Sequence, residues 1–252
     1  MHQLVTIPMS HYCEKVRWAL ELLEVPYVER QHLQAFHFPV AKWHSGASFV
    51  PVLLTADGVI SDSTRINRAL DAGRGVLYPE GLEEEVLTWE EDFDEGLGVE
   101  GRRWIYLQVL DRPDPFLRYA AAEAPSWQLV CGRAVYPLMR RMLIRHLDIT
   151  VGAMERGMPV IERSLAKVEG RLGDGARYLV GECFTAADLS FASLMAPLLL
   201  PERYGIPLPP PHTLGAEGEA AVAAWRARPA GQFALRLIAD HRPVPPWQRA
   251  TG

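Results

Sequence analysis

The sequence predicts a chain in two unlike parts, a small α/β unit over residues 1–75 followed by an all-helical unit over residues 82–245. Three observations carry this reading. Strand-forming runs are confined to the stretch before residue 62, where they alternate with a helical run. From Leu82 onward apolar residues recur at helical spacing with few β-rich runs. Between the two lie Gly73-Arg74-Gly75 and Tyr78-Pro79-Glu80-Gly81, the punctuation expected of a linker.

The elements of the first part follow in order. Residues 3–7 (QLVTI) form a short β-prone run ended by Pro8. CEKVRWALELLE, from Cys13, is strongly helical; Val16, Ala19, Leu20 and Leu23 repeat at helical spacing and are expected to face a core, with Glu14 and Lys15 in solvent. Pro26 ends that helix, and Tyr27-Val28-Glu29-Arg30 reads as a second strand. Strand, helix, strand implies a right-handed crossover and parallel pairing. Residues 31–48 are irregular, with a helix expected around Val40 to Trp43. Val50-Pro51-Val52-Leu53-Leu54, the turn dipeptide Asp57-Gly58 and Val59-Ile60 make a hairpin. Ser61-Asp62-Ser63-Thr64 is dense in helix N-cap residues, with Ile66 and Leu70 following at helical spacing.

In the second part, residues 82–110 read as one long helix or two abutting ones, bent near Gly96 to Gly101 and broken by Pro113 and Pro115. Helical periodicity resumes over about Trp127 to Leu147 and Pro159 to Leu172. A further apolar helix follows Phe184-Thr185-Ala186-Ala187-Asp188, where Thr185 and Asp188 form a capping box and Phe184 is expected to staple against Leu189. Pro207 to Pro211 is a loop, and helices near Glu217 to Arg228 and Gln232 to Asp240 close the chain.

Composition limits the function. With 252 residues, 48% hydrophobic and 23% charged, the chain can bury a sizeable core and is not disordered. A net charge of -5 disfavours nucleic acid as a partner, because phosphate binding needs a basic face. The first residues lack a signal-peptide pattern, and the most apolar run, Phe191 to Leu200, is too short for a bilayer, so no membrane partner is expected. Three cysteines, widely spaced and without Cys-x-x-Cys, give neither a disulfide framework nor a zinc pattern, and a cytoplasmic location is expected. The eight histidines show no metal-ligand spacing, and no metal is expected.

Four separated features then resemble one family. Ser10-His11-Tyr12-Cys13-Glu14-Lys15-Val16-Arg17-Trp18 is similar to the first loop and helix of the glutathione transferases; Val50-Pro51-Val52-Leu53 resembles their hydrophobic-Pro segment, in which the proline is cis. Asp62-Ser63 with Ile66 resembles the start of their third helix, and Thr185-Ala186-Ala187-Asp188 the capping box of their helical domain. The resemblance implies a thioredoxin-like N-terminal domain that binds glutathione and an all-α bundle behind it. It implies glutathione as co-substrate, a small hydrophobic electrophile as second substrate, a role in detoxification, and a homodimer.

The resemblance also distributes roles. Ser10 would sit at a helix N-terminus, where unpaired N–H groups and the helix dipole favour an anion and a hydroxyl can donate to a thiolate. Read without the family, Ser10 is a helix N-cap, and the two readings are compatible. Cys13 is the competing thiol, for a glutathione-linked reductase; a small core-facing residue is the commoner fate of a lone cysteine and is the preferred reading. Tyr12, Val50 and Pro51 would line the peptide, with the Val50 backbone pairing to its cysteinyl residue like an added strand. Ser63 would take the γ-glutamyl carboxylate and Asp62 its ammonium. Phe49 stands where many relatives carry Lys or Gln for the glycyl carboxylate, leaving Lys42, His37 or His44 as candidates. That departure keeps open a binding or scaffold protein with little catalysis. His11, where relatives often have proline, is expected to be an exposed loop residue. Of Trp89, Phe93, Trp104, Tyr106 and Trp127, most should be core and a few could line the second-substrate pocket. Arg140-Arg141 with Arg145 and His146 reads as a solvated basic face.

Overall fold

A computed structural model describes residues 1–121 and 124–249, and for Arg249 the backbone alone. The N-terminal part is a four-stranded mixed sheet flanked by helices. Its strands are β1 (His2–Thr6), β2 (Tyr27–Gln31), β3 (Val52–Leu54) and β4 (Val59–Ser61), in the order β2-β1-β3-β4. β1 pairs parallel with β2, and β3 pairs antiparallel with both β1 and β4. Alternation along β1 divides the packing. Leu4 packs with Val16 and Leu20 of α1 (His11–Leu22) and Ile66 of α3 (Ser63–Asp71). Val5 meets Ala41 of α2 (His37–Ser45) on the other face. The predicted short helix at 40–43 is thus longer, and it ends at Gly46, whose φ of 79° suits the left-handed turn that closes it.

After α3 the Asp71 carboxylate accepts the backbone N–H groups of Val76, Leu77 and Tyr78 at 2.9–3.0 Å, pinning the linker. The long helix comes next: α4 (Glu83–Asp92), a single π-helical turn (Phe93–Leu97) and α5 (Gly98–Val109). The irregularity is a π turn that begins before the expected zone and overlaps it only at Gly96 and Leu97. Pro113 and Pro115 do not simply break the helix. Pro113 begins a new one, α6 (Pro113–Ala120), at the position where a missing N–H costs nothing. α7 (Ser126–Leu147) follows. α8 (Val151–Gly173) starts two turns earlier than predicted and carries Pro159 inside it. α9 (Ala186–Leu199) is buried along its whole length, as a helix apolar on all sides must be, with Asp188, Ser190 and Ser193 its only polar residues, and is the axis of the helical part. The chain closes with α10 (Ala216–Ala227), α11 (Pro229–His241) and the short α12 (Pro246–Arg249).

The capping box at α9 forms: Asp188 accepts from Thr185 N–H at 3.0 Å and from Leu179 N–H at 2.9 Å. Burial raises the Asp188 carboxyl to about 6, against the pull of those hydrogen bonds. The Phe184 ring stacks between Trp18 and His241 and so joins α1 to α11. Trp89, Phe93 and Trp104 are core, as expected, whereas Trp127 is largely exposed.

The clearest departure is on α1, where Glu14 and Lys15, read as solvent-facing, are buried at 2% and 0% exposure. α1 lies between the sheet and the helical part and has little free face. Lys15 Nζ lies 2.8 Å from Asp94 and 3.3 Å from Glu90 of α4 and the π turn. Burial alone would lower the Lys15 ammonium, but Glu90 and Asp94 hold it above its usual value. Glu14 accepts from Arg242 at 2.8 Å and from the Gly205 backbone at 3.0 Å. Buried charges need such partners, which here come from sequence positions that no local pattern connects.

Candidate active site

The start of α1 brings the first site residues together. Ser10 is the N-cap; its Oγ accepts the Cys13 N–H at 3.2 Å, and the hydroxyl also lies against the Cys13 thiol. Tyr12 donates to the Asp94 carbonyl at 2.6 Å, and His11 Nε2 lies 3.0 Å from the Gly98 carbonyl. Both carbonyls belong to the π turn or the residue that follows it, so α1 reads the irregularity in the long helix directly. Gly98 is needed there, since a Cβ would lie 2.5 Å from Tyr12 Oη and 3.1 Å from Leu194. The expectation of an exposed His11 is overturned, since only 3% of its surface is accessible. Burial, with Arg102 next in importance, lowers its pKa to about 3. Because a carbonyl only accepts, Nε2 of the neutral ring carries the proton and Nδ1 is the acceptor.

Two cavities meet at this point. The smaller, about 200 Å³, is lined by Tyr12, Phe49, Val50, Pro51, Asp62 and Ser63 together with Ala47 and Ser61. The larger, about 290 Å³, runs from Ser10, His11 and Tyr12 into the helical part and is walled by apolar residues such as Ile105, Val109 and Leu143. Tyr12, Phe49 and Val50 belong to both walls. The Val50–Pro51 peptide bond is cis. Among the described residues the Val50 backbone, which lies outside β3, has no hydrogen-bond partner.

At the far wall of the smaller cavity Asp62 caps α3, accepting the Arg65 N–H at 2.9 Å. Its φ of 81° with ψ of 130° is a region that side chains rarely occupy. The α3 N-terminus points its free N–H groups into this wall, and Ser63 is 3% exposed beside them.

Cys13 is not at either wall. It is fully buried, and burial pushes its thiol up to about 11 although Arg17 and the Ser10 hydroxyl pull the other way. That placement counts against the Cys13 reading, which needs an accessible thiolate. Of the three basic residues considered for the glycyl carboxylate, Lys42 and His44 are exposed and outside both cavities, while His37 lines the larger one. Burial lowers the His37 pKa to about 4, so the ring is neutral. Phe49 is 68% exposed. The sequence reading missed Gln34 and Arg102, which line the larger cavity, and did not place the exposed His146 at its edge. Only the helical phase of Arg102 relative to Tyr106 could have flagged them. Arg140 pairs with Asp111. Among the described residues no cluster of three His, Cys, Asp or Glu side chains could hold a metal, and no helix is long and apolar enough to cross a membrane.

Residues 4–75 match the glutathione S-transferase N-terminal domain, and residues 152–241 match the glutathione S-transferase C-terminal domain. The chain belongs to the glutathione S-transferase family, with a thioredoxin-like domain followed by a helical one. Solved structures repeat this fold at low identity. A glutathione transferase from Phanerochaete chrysosporium superposes with a TM-score of 0.65 at 16% identity, covering 96% of this chain and 98% of its own. A glutathione S-transferase of Ceriporiopsis subvermispora, solved in complex with glutathione, gives 0.63 at 14% identity, with 97% and 99% covered. One from Pseudomonas fluorescens gives 0.59 at 19% identity, with 97% and 98% covered. No curated protein matches the chain by sequence.

Proposed function

We propose that the protein is a glutathione transferase that activates the glutathione thiol at Ser10 for attack on a small electrophile held in the larger cavity. The observation that carries this reading is the junction of the two cavities at the α1 N-terminus, which Ser10 caps. Residues 1–75 would be the glutathione-binding domain and 82–245 the helical domain. The γ-glutamyl end would lie at α3, its carboxylate on Ser63 and the free N–H groups, its ammonium on Asp62. The cysteinyl part would pair with the Val50 backbone beside Pro51 and Tyr12. Its sulfur would then face Ser10, where the hydroxyl and the helix terminus favour the thiolate.

The step follows from that arrangement. The thiol proton passes to solvent, the sulfur lone pair forms a bond to the electrophilic carbon, and a leaving group departs with its electron pair or the attacked π bond takes up the charge. Proximity and thiolate formation supply the acceleration. A role in detoxification, a cytoplasmic location and homodimer assembly belong to the same proposal. The free, exposed Cys131 and Cys183 are consistent with a reducing compartment.

The test is conjugation of a chloronitroaromatic by Ser10→Ala, expected to slow by about a hundredfold with the glutathione Kd little changed. Parent-like turnover in that variant would reject the role of Ser10. One observation favours a second reading, a glutathione-binding or scaffold protein with little catalysis. No basic side chain among the described residues lines the smaller cavity, so the glycyl carboxylate lacks an evident ion pair there. Calorimetry separates the two, because millimolar or absent glutathione binding by the folded protein supports the second.

A further inference from the structure

We propose that the larger cavity selects an electrophile bearing a carboxylate or similar anionic group, held by Arg102. The proposal rests on the transferase reading and names the class of its second substrate. Arg102 stands on α5, half-buried, in the cavity wall. Its guanidinium carbon is 6.0 Å from the centre of the Tyr12 ring, so it sits close to the junction where the thiol is expected. Among the described residues it has no ion pair and no hydrogen bond, and no carboxylate lines the cavity.

The fully buried cations of the molecule are each matched by carboxylates. Lys15 has Glu90 and Asp94, Arg17 has Glu14 and Glu29, and Arg242 has Glu14 and Glu21. A guanidinium facing an apolar cavity without a counter-charge is costly unless a ligand supplies one. Its planar fork fits a carboxylate with two parallel hydrogen bonds.

A second observation concerns the same cavity. Gln34 and His37 line it and are 1% and 6% exposed, and Gln34 Oε1 has no hydrogen-bond partner among the described residues. Gln34 is held by its other end, donating to Tyr106 Oη at 3.0 Å. Buried polar atoms are rarely left in this state, so the cavity offers hydrogen-bonding positions besides the cation. Its ligand is therefore amphiphilic, with an anionic group on Arg102, polar substituents toward Gln34 and His37, and an apolar body against Ile105, Val109 and Leu143. In the step itself Arg102 stays bound to the carboxylate, while the thiolate sulfur bonds to the ring carbon and chloride leaves with the C–Cl electron pair.

The experiment compares two electrophiles, 4-chloro-3,5-dinitrobenzoate and the matching neutral benzamide, and the unreactive pair 3,5-dinitrobenzoate and 3,5-dinitrobenzamide. The parent protein is expected to bind the unreactive carboxylate about tenfold or more tighter than the amide, measured by calorimetry. Arg102→Met removes that preference and Arg102→Lys restores part of it, with glutathione affinity unchanged in both. Equal binding of the unreactive pair by the parent protein overturns the proposal. So does a parallel loss of glutathione affinity in Arg102→Met, which would give the cation to the peptide's own carboxylate. Carboxylate preference in binding, without turnover of either chloro compound, rejects the transferase reading and leaves the anion site standing. Turnover of both chloro compounds without preference does the reverse.

Discussion

Asp62 combines a strained backbone with a cap and a proposed ligand contact, and these can be separated. Its positive φ costs about 1–3 kcal/mol, whereas exchanging its cap for glycine costs only a few tenths. Asp62→Gly should therefore melt no lower than the parent while binding glutathione about tenfold more weakly, because the ammonium loses its partner. Calorimetry and thermal melting check both halves, and parent-like affinity contradicts the assignment. Cys13 gives the opposite expectation. Its side chain is buried and its thiol is held up at about 11, so Cys13→Ala should keep conjugation within about twofold of the parent. Loss of activity there would revive the reductase reading. Ser10 and Asp62 were legible in the sequence because an N-cap is a local signal. The burial of His11 was not, since Gly98, which it contacts, lies 87 positions away.

At the scale of elements, α1 and the α4–α5 helix are joined by paired contacts. Tyr12 and His11 take carbonyls at the π turn, and Lys15 takes two of its carboxylates from α4 and that turn. Gly98→Ala places a methyl against Tyr12 and Leu194, and such overpacking should cost about 1–3 kcal/mol and slow conjugation by moving Tyr12. Chemical denaturation and steady-state kinetics report the two effects, and a variant unaltered in both would show that Tyr12 does not depend on this contact. Lys15→Met leaves Glu90 and Asp94 uncompensated and should cost about 3–5 kcal/mol. The existence of α1 was legible from its apolar spacing, but its charged face was misread. Periodicity distinguishes polar from apolar faces; it does not say that a polar face will meet Glu90, Asp94 and Arg242 in place of water. Likewise Pro113 was read as a break and Pro159 as a helix start because the rules for proline are local, while Pro113 starts a helix and Pro159 is carried within one.

Across the whole molecule, the two parts share one core. Trp18, Ala19 and Leu33 of the first part belong to the same apolar cluster as Phe93, Phe191 and Leu237 of the second. Trp18 also donates to the His241 carbonyl at 3.1 Å. The two-part architecture was legible because strand and helix signals segregate along the chain. The cavity between the parts was not, because Arg102, Gln34 and His146 converge only after folding. Stability should depend on pH through the two buried histidines. Folded-state values of about 3 for His11 and about 4 for His37 lie below the unfolded value of 6.5. The unfolded chain therefore takes up protons that the native state refuses as pH falls below 6.5. Stability is fullest above that value and declines toward pH 4, by up to about 1.4 kcal/mol per pH unit for each histidine. Urea unfolding at pH 7 and pH 5 measures this, and His37→Gln should make the decline shallower. A profile unchanged in that variant would contradict the buried neutral His37.

The central claim is that Ser10 holds the glutathione sulfur as a thiolate. Ultraviolet titration of the thiolate in the binary complex tests it most directly. The account predicts a bound thiol pKa roughly two units below the free-thiol range in the parent protein. In Ser10→Ala it should return most of the way, with glutathione still bound. An identical titration in both proteins would contradict it.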